Sequence, residues 1–180
     1  MAFDYPDFVQ RVLLHDEAMR RPLPSDPENP EMVIRIREAT DEEILPDSAM
    51  RNTELLPLLR GGLFYFHDSL TDAIRLIDSA PGALADYWRQ MVFRRMGEFE
   101  VARTYGRRAG ELPPFQLMLR MVSEESPNMS RQSNWDAYLL AQLYEQFRFG
   151  DSDLEVELRR LQRVEFHQIF RYTFREASGD

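Results

Sequence analysis

The most informative part of this chain is residues 96–109, which read M-G-E-F-E-V-A-R-T-Y-G-R-R-A. Gly97 can open a tight turn, and an aromatic residue follows it two positions later. Ala102 and Ala109 are seven residues apart, so both lie on one side of an α-helix, where a second helix can approach closely. Pro113 ends the helical pattern, because proline has no N–H and its ring clashes with the preceding turn. These residues predict the turn and the second helix of a helical hairpin.

A related pattern occurs earlier, at residues 61–74, which read G-G-L-F-Y-F-H-D-S-L-T-D-A-I. It contains small residues, aromatic residues, a polar turn and then Ala73, which lies 29 residues before Ala102. Gly61 and Gly62 lie within an apolar helical stretch, although a mid-helix glycine costs about 1 kcal/mol relative to alanine. The two adjacent glycines therefore predict a close helix crossing.

Together the two units resemble the tetratricopeptide repeat family over residues 54–114. The match lies in the second helix of each unit. The helix before Gly97 has Gln90 where a small residue is usual, and the spacing is shorter than the family's ~34 residues. The resemblance implies an all-α fold of antiparallel helical hairpins, a tetratricopeptide-like α-α superhelix, with capping helices at both ends.

A second resemblance covers more of the chain. Residues 86–97, the sequence Asn134-Trp135-Asp136 and the closing helix look like those of a group of bacterial proteins to which no activity is assigned. This resemblance implies a helical fold and says nothing about chemistry.

A length of 180 residues suits one domain that buries most of its apolar surface. We therefore expect a single helical domain over residues 1–180, in three parts. Residues 1–53 form a less regular N-terminal part with a proline-rich surface loop at 22–31, residues 54–114 form the repeat-like core, and residues 115–180 form C-terminal helices.

Shorter signals refine the N-terminal part. Residues 6–20 have helical spacing, whereas residues 32–37 alternate and predict either an extended segment or a short helix. Thr40 and Glu43 match a capping box, in which each side chain bonds to a free backbone N–H at the start of a helix.

Two long helices are expected near the C-terminus. Asn134 is placed to cap the first of them, and Gly150 to end it. Asp151 or Ser152 starts the second, which runs to about Glu176. Its acidic residues come first and its arginines later, as the helix dipole favours.

The composition excludes several kinds of chemistry. The chain has no cysteine, so it cannot form disulfides or bind zinc or iron–sulfur clusters through thiolates. All 22 basic residues are arginine, and without lysine there is no Schiff base to pyridoxal phosphate and no phosphate-binding GK[ST] loop. The motifs G-x-S-x-G, G-x-G-x-x-G and H-E-x-x-H do not occur. We therefore expect no cofactor and no catalytic residues of a common enzyme class.

Charge and hydropathy bear on location and on partners. The net charge of −9 disfavours nucleic acid as a partner. No apolar run reaches the ~18 residues that a membrane span needs. The acidic N-terminus does not look like a secretory signal. We expect a cytoplasmic protein that binds neither membranes nor nucleic acid.

One stretch has the opposite charge. Residues 89–108 carry six arginines against two glutamates. Such a stretch can bind an acidic peptide or an anion. More often it is a helix face whose charges are paired within the protein.

The tetratricopeptide resemblance also implies a binding site. It places six residues on the inner face of the hairpins: Phe66, Tyr87, Trp88, Met91, Arg94 and Arg95. Aromatic rings beside guanidinium groups suit an extended acidic peptide or its C-terminal carboxylate. Two alternatives give the same pattern, since the phenylalanine-rich last helix could fill this groove, or two copies of the chain could pair through it as a homodimer.

A second hypothesis rests on the histidines. His15 and the pair His67-Asp68, with a later acid such as Asp136, resemble the ligands of the metal-dependent HD-type phosphohydrolases, which are all-α. That resemblance implies a metal that activates water, and it requires these side chains to converge. Our preferred hypothesis is a non-enzymatic protein-interaction or scaffold module, and the phosphohydrolase is the alternative.

Overall fold

The computed structural model describes residues 5–15, 18–27, 29–46, 52–123 and 126–179. The regular secondary structure of these residues is helical and includes no β-strand, which confirms the predicted all-α fold class. They form ten α-helices: α1 (Asp7–Leu13), α2 (Pro30–Glu38), α3 (Asp41–Ile44), α4 (Leu56–Phe66), α5 (Leu70–Ile77), α6 (Ala83–Arg95), α7 (Phe99–Ala109), α8 (Phe115–Val122), α9 (Ala137–Phe147) and α10 (Ser152–Ser178). A 3-10 turn at Thr53–Leu55 precedes α4.

Two helical hairpins form the centre of the chain. Helix α4 packs along α5, and α6 packs along α7, with a short turn joining each pair. Gly97, in the turn between α6 and α7, has a φ of 82°, a left-handed conformation that residues with a Cβ rarely adopt. The predicted turn and helix at residues 96–109 are therefore confirmed.

The adjacent glycines of α4 lie at close helix crossings, as predicted. A Cβ atom added to Gly61 would lie 2.7 Å from Cγ1 of Ile77 on α5. A Cβ atom added to Gly62 would lie 2.9 Å from the ring of Phe170 on α10. Carbon atoms pack best at about 3.5–4.0 Å, so only glycine lets α4 approach both helices this closely.

Helix α10 connects the N-terminal and C-terminal parts of the fold. It has 27 residues and packs against α4, α8, α9 and the 3-10 turn. Asp151 caps it by accepting hydrogen bonds from the backbone N–H groups of Asp153 and Leu154, as the sequence predicts. One side of α10, which we call its inner face, carries buried apolar residues that include Phe166, Ile169, Phe170 and Phe174.

The first helix is shorter than predicted. Residues 6–20 have helical spacing, but α1 ends at Leu13. Beyond α1, the side-chain amide of Gln162 on α10 donates to the backbone carbonyl of Met19 (2.7 Å). The prediction was therefore wrong about where the helix ends. The backbone at Met19 bonds to a distant side chain, and local spacing does not encode such a contact.

The predictions for residues 32–37 and for the capping box agree with the structure. Of the two alternatives for residues 32–37, the helix is right, since they lie within α2. Asn29 caps this helix by accepting from the backbone N–H of Met32 (2.9 Å). The capping box of Thr40 and Glu43 is present at the start of α3 and is confirmed.

The helix cap predicted at Asn134 is wrong. Asp136 caps α9 instead, accepting from the backbone N–H groups of Tyr138 (2.8 Å) and Leu139 (3.1 Å). The side chain of Asn134 donates to Glu111 (2.8 Å). Either residue type can cap a helix, so the sequence alone did not distinguish between them.

The buried apolar side chains form a cluster that extends from Val9 to Ala177. In the part of the chain that the structure describes, no helix combines the length and the apolar character needed to cross a membrane.

Candidate functional site

The predicted inner groove is closed in this structure. Its six residues are at most 4% exposed: Phe66, Tyr87, Trp88, Met91, Arg94 and Arg95. Residues of α10 contact four of them: Phe66, Tyr87, Trp88 and Arg94. Phe66 stacks on Phe166 with ring centroids 4.8 Å apart, and Nε1 of Trp88 donates to Oγ1 of Thr173 (3.0 Å). Of the alternatives for this groove, the structure shows the one in which the last helix of the chain fills it, so the six residues are not open to a partner.

A buried ion pair lies within this interface. The guanidinium of Arg94 bonds to the carboxylate of Glu165 on α10, and both side chains are 0% exposed. The same carboxylate accepts from the hydroxyl of Tyr87 (2.6 Å) and from the amide of Gln90 (3.4 Å). Nε1 of Trp135 donates to that hydroxyl (2.7 Å). The network therefore ties α6, α10 and the segment before α9 together.

The protonation of these groups follows from their burial. Burial raises the pKa of Tyr87 well above its usual value, and the charge of Glu165 raises it further. Burial by itself would lower the pKa of Arg94, but the neighbouring Glu165 outweighs this effect, and the pKa is raised. A catalytic acid or base needs a pKa near the working pH. Tyr87 and Arg94 are shifted away from neutral pH, so they serve the structure.

Arg95 is also part of the fold. Its guanidinium donates to the carboxylate of Asp68 (2.6 Å), to the carbonyl of Tyr65 (3.1 Å) and to the carbonyl of Arg21 (2.8 Å). These bonds join α6 to the α4–α5 turn and to the N-terminal segment. The capacity of Arg95 to bind a carboxylate is therefore used within the chain.

The other arginines of residues 89–108 show the same pattern. Most have carboxylate partners in the chain: Arg89 with Asp78 and Asp86, Arg103 with Glu100 and Glu145, and Arg108 with Asp86. Internal pairing, the more usual of the two interpretations, is confirmed for this stretch.

The histidines come together, but they do not form a metal centre. The rings of His15 and His67 are 5.5 Å apart and meet edge to face. Nε2 of His67 donates to a backbone carbonyl of α1 (3.1 Å), and burial lowers the pKa of His67 to about 4. Asp68 bonds to Arg95, and Asp136 caps α9. Among the described residues, no group of three or more His, Cys, Asp or Glu could hold a metal ion. These residues do not fit the centre that the phosphohydrolase resemblance implies.

An open groove lies between α8 and α10. It has a volume of about 430 Å³ and is lined by Pro113, Pro114, Leu117, Gln168, Arg171, Tyr172, Arg175 and Glu176. Leu117 is 41% exposed, and Met121, one helical turn further along α8, is 45% exposed. We call this site the outer groove, because it uses residues of α10 that do not belong to the inner face.

The two walls of the outer groove differ in chemistry. The α8 wall is apolar. On the α10 wall, the hydroxyl of Tyr172 bonds to the carboxylate of Glu176, and burial followed by this carboxylate raises the pKa of Tyr172. Arg171 adds one positive charge, and the exposed Arg175 forms no ion pair with any described residue. The site therefore presents an apolar strip next to guanidinium groups.

Sequence reasoning missed the outer groove, although α8 carries a signal for it. Six of the eight residues of α8 are apolar. A surface helix normally buries only three or four apolar residues in two turns. The four buried ones are Phe115, Met118, Leu119 and Val122. The two that remain, Leu117 and Met121, face the surface.

Comparisons with protein-family models, with curated proteins and with solved structures find no match to this chain. The function is therefore inferred from the geometry of the outer groove.

Proposed function

We propose that this chain is a non-enzymatic protein-interaction module of the bacterial cytoplasm, built on tetratricopeptide-like hairpins. It binds an acidic peptide segment of a partner protein in the outer groove. The observation that carries this proposal is the exposed apolar strip of α8 beside the arginines of α10.

The apolar strip supplies the binding energy. Leu117 and Met121 are four residues apart, so they lie along one side of α8, and Pro113 lies four residues before Leu117, two residues before the helix begins. Complete burial of a leucine or methionine side chain is worth about 1.5–3 kcal/mol. Both side chains are about half exposed, so a peptide that covers them gains part of that amount from each.

The arginines supply the specificity. Two arginines face one glutamate in the outer groove, and that glutamate already bonds to Tyr172. The groove is therefore positive on a chain whose net charge is −9. A guanidinium binds a carboxylate through two parallel hydrogen bonds, so glutamate or aspartate side chains suit this wall.

Other partners fit the outer groove less well. Two copies of the groove facing each other would bring arginines against arginines, which is unfavourable. Nucleic acid would be repelled by the negative charge of the whole chain. Helix α8 has eight residues and is about 12 Å long. This length suits a short segment of about two helical turns.

The test uses a short fluorescent peptide with leucines four residues apart and glutamates beside them, together with an otherwise identical peptide that carries glutamines. Fluorescence anisotropy gives the affinities, and amide chemical shifts locate the site. We expect shifts confined to α8 and the second half of α10, and affinity for the acidic peptide at least about tenfold higher, because charge-assisted hydrogen bonds contribute about 1.5–3 kcal/mol each.

Surface variants test whether the outer groove is the site. Leu117→Asp and Arg175→Glu should each weaken binding about tenfold or more. The control is Val101→Asp on α7, where the apolar side chain is 37% exposed, and it should bind normally. Equal affinity for the two peptides would exclude the acidic preference, and shifts outside the groove would exclude the site.

A further inference from the structure

The turn between α9 and α10 holds an exposed aromatic ring. Phe149 is 90% exposed. The turn is fixed by hydrogen bonds from the N–H of Phe149 to the carbonyl of Gln146 (3.1 Å) and from the N–H of Gly150 to the carbonyl of Phe147 (2.9 Å). Gly150 has a φ of 88°, which allows the chain to turn directly into α10. The fold thus holds this ring in solvent, although burying a phenylalanine is worth about 1.5–3 kcal/mol.

A hollow lies beside this turn. It has a volume of about 430 Å³, and its apolar lining consists of Pro127, Leu154 and Val156. Val156 is 60% exposed. Gln146 and Asp151, on either side of the turn, also line the hollow, whereas Phe149 does not. The ring and the hollow are therefore neighbours on the surface.

The charges of the ring and of the hollow are complementary. Three carboxylates and one arginine line the hollow: Asp151, Asp153, Glu157 and Arg160. Arg148 directly precedes Phe149. It is exposed, lies over the ring of Phe99 (5.5 Å to the centroid) and forms no ion pair with any described residue. The projecting ring thus has a cation beside it, and the hollow has an excess of carboxylates.

We infer that two copies of this chain pair through this surface, with Phe149 of each copy seated in the hollow of the other. A twofold axis makes such an interface self-complementary, because the same ring and the same hollow are used twice. It also brings Arg148 of each copy toward Asp153 of the other. The hollow shares no lining residue with the outer groove, and its acidic lining repels an acidic peptide. The inferred dimer therefore does not depend on the proposed function.

Sedimentation equilibrium of the full chain tests the pairing. We expect a monomer–dimer equilibrium in the wild type and a dissociation constant at least about tenfold higher for Phe149→Asp. Arg148→Glu should also weaken the dimer, and adding Asp153→Arg to it should restore pairing. The control is Ile34→Asp on α2, where the side chain is 49% exposed, and it should dimerise like the wild type. Circular dichroism verifies that each variant is folded.

Cross-linking tests the geometry, since the chain has no cysteine of its own. Phe149→Cys and Val156→Cys are made as separate variants, mixed and oxidised. We expect a covalent dimer in this mixture, and much less when Ile34→Cys replaces Phe149→Cys. The inference is overturned by a monomer at every concentration, by a dimer that Phe149→Asp does not weaken, or by equal cross-linking in the two mixtures.

Discussion

Helix α10 has two faces with opposite uses of charge. On the inner face, Glu165 is fully buried and accepts hydrogen bonds from Arg94, Tyr87 and Gln90. In the outer groove, Arg175 is exposed and has no carboxylate partner among the described residues. A buried charge must be paired, because its desolvation costs several kcal/mol. An exposed charge stays hydrated without a partner and is available to bind a ligand.

This contrast shows what arginines beside aromatic rings mean in this chain. Arg94 lies 4.7 Å from the ring of Tyr144, and Arg95 lies 4.9 Å from the ring of Tyr65, but both arginines hold the fold together. Arg175 and Tyr172 are the same residue types on the open side of α10. Exposure, rather than residue type, separates a structural pair from a candidate binding site.

The largest effect is expected from breaking the inner ion pair. Arg94→Ala leaves Glu165 buried without its counter-charge, which typically costs about 3–5 kcal/mol. Urea unfolding followed by circular dichroism measures this loss. Glu165→Gln serves as a second variant that keeps the shape of the side chain. It leaves the buried Arg94 without its counter-charge, so it should lose stability as well.

The matched control is on the outer groove. Arg175→Ala removes an arginine side chain from α10, just as Arg94→Ala removes one from α6. It should change the free energy of unfolding by no more than about 0.5 kcal/mol. If Arg94→Ala and Arg175→Ala were equally stable, the distinction between the two faces of α10 would be lost.

The next effect concerns His67, which is buried close to the N-terminal segment. Burial lowers its pKa from the usual 6.5 to about 4, so the folded chain keeps this imidazole neutral. The unfolded chain takes up a proton once the pH falls below 6.5, and the folded chain only below about 4. The contribution of neutral His67 to the free energy of unfolding is therefore fully present above pH 6.5. It decreases as the pH falls toward 4, by about 3 kcal/mol in total.

The measurement is the free energy of unfolding across this pH range, in the wild type and in His67→Gln. The variant has no titrating group at this position, so its stability should vary less with pH, by up to about 1.4 kcal/mol per pH unit. Parallel curves for the two proteins would mean that His67 does not resist protonation in the fold.

The sequence predicted local features well and contacts between distant residues poorly. The turn at Gly97 and the capping box of Thr40 each depend on residues within a few positions, and both are present. The crossings at Gly61 and Gly62 are present too, but the sequence did not show that the second of them meets Phe170 of α10. The end of α1 at Leu13 was missed, and so was the contact of the following segment with Gln162, far along the chain.

The closed inner groove and the open outer groove could not be told apart in the sequence for the same reason. The aromatic and basic residues of α6 were identified, but their burial depends on where α10 packs, which periodicity does not give. The surplus apolar residues of α8 were visible in the sequence. Which of them face solvent was settled only by the packing of Met118 and Val122 into the core.

A smaller effect is expected at the crossing of α4 with the inner face of α10. In Gly62→Ala the new Cβ would lie 2.9 Å from the ring of Phe170 and 3.0 Å from that of Trp88. Overpacking of this kind costs about 1–3 kcal/mol, which exceeds the gain of about 1 kcal/mol in helix propensity. Urea unfolding should therefore show a net loss of stability.

The comparison for this variant is Gly106→Ala on α7. Its new Cβ would meet only the Cβ of Ala137 at 3.3 Å and a side-chain carbon of Gln90 at 3.9 Å. We expect it to be more stable than Gly62→Ala. The reverse order would show that the approach of α4 to α10 is looser than the structure indicates.

The smallest effect on stability is expected along the exposed apolar strip of α8, which begins in the outer groove at Leu117. Leu117→Ser and Met121→Ser remove apolar groups that are already 41% and 45% exposed, so each should cost about 1 kcal/mol or less. The same variants should reduce affinity for the acidic peptide about tenfold or more, because the strip they shorten is the part that a ligand would cover.

Measuring both the free energy of unfolding and the peptide affinity of each variant separates the two faces of α10: inner variants should lose stability, and outer variants should lose binding. A large loss of stability in Leu117→Ser would mean that this strip belongs to the core and that the apolar contact proposed for the peptide is absent.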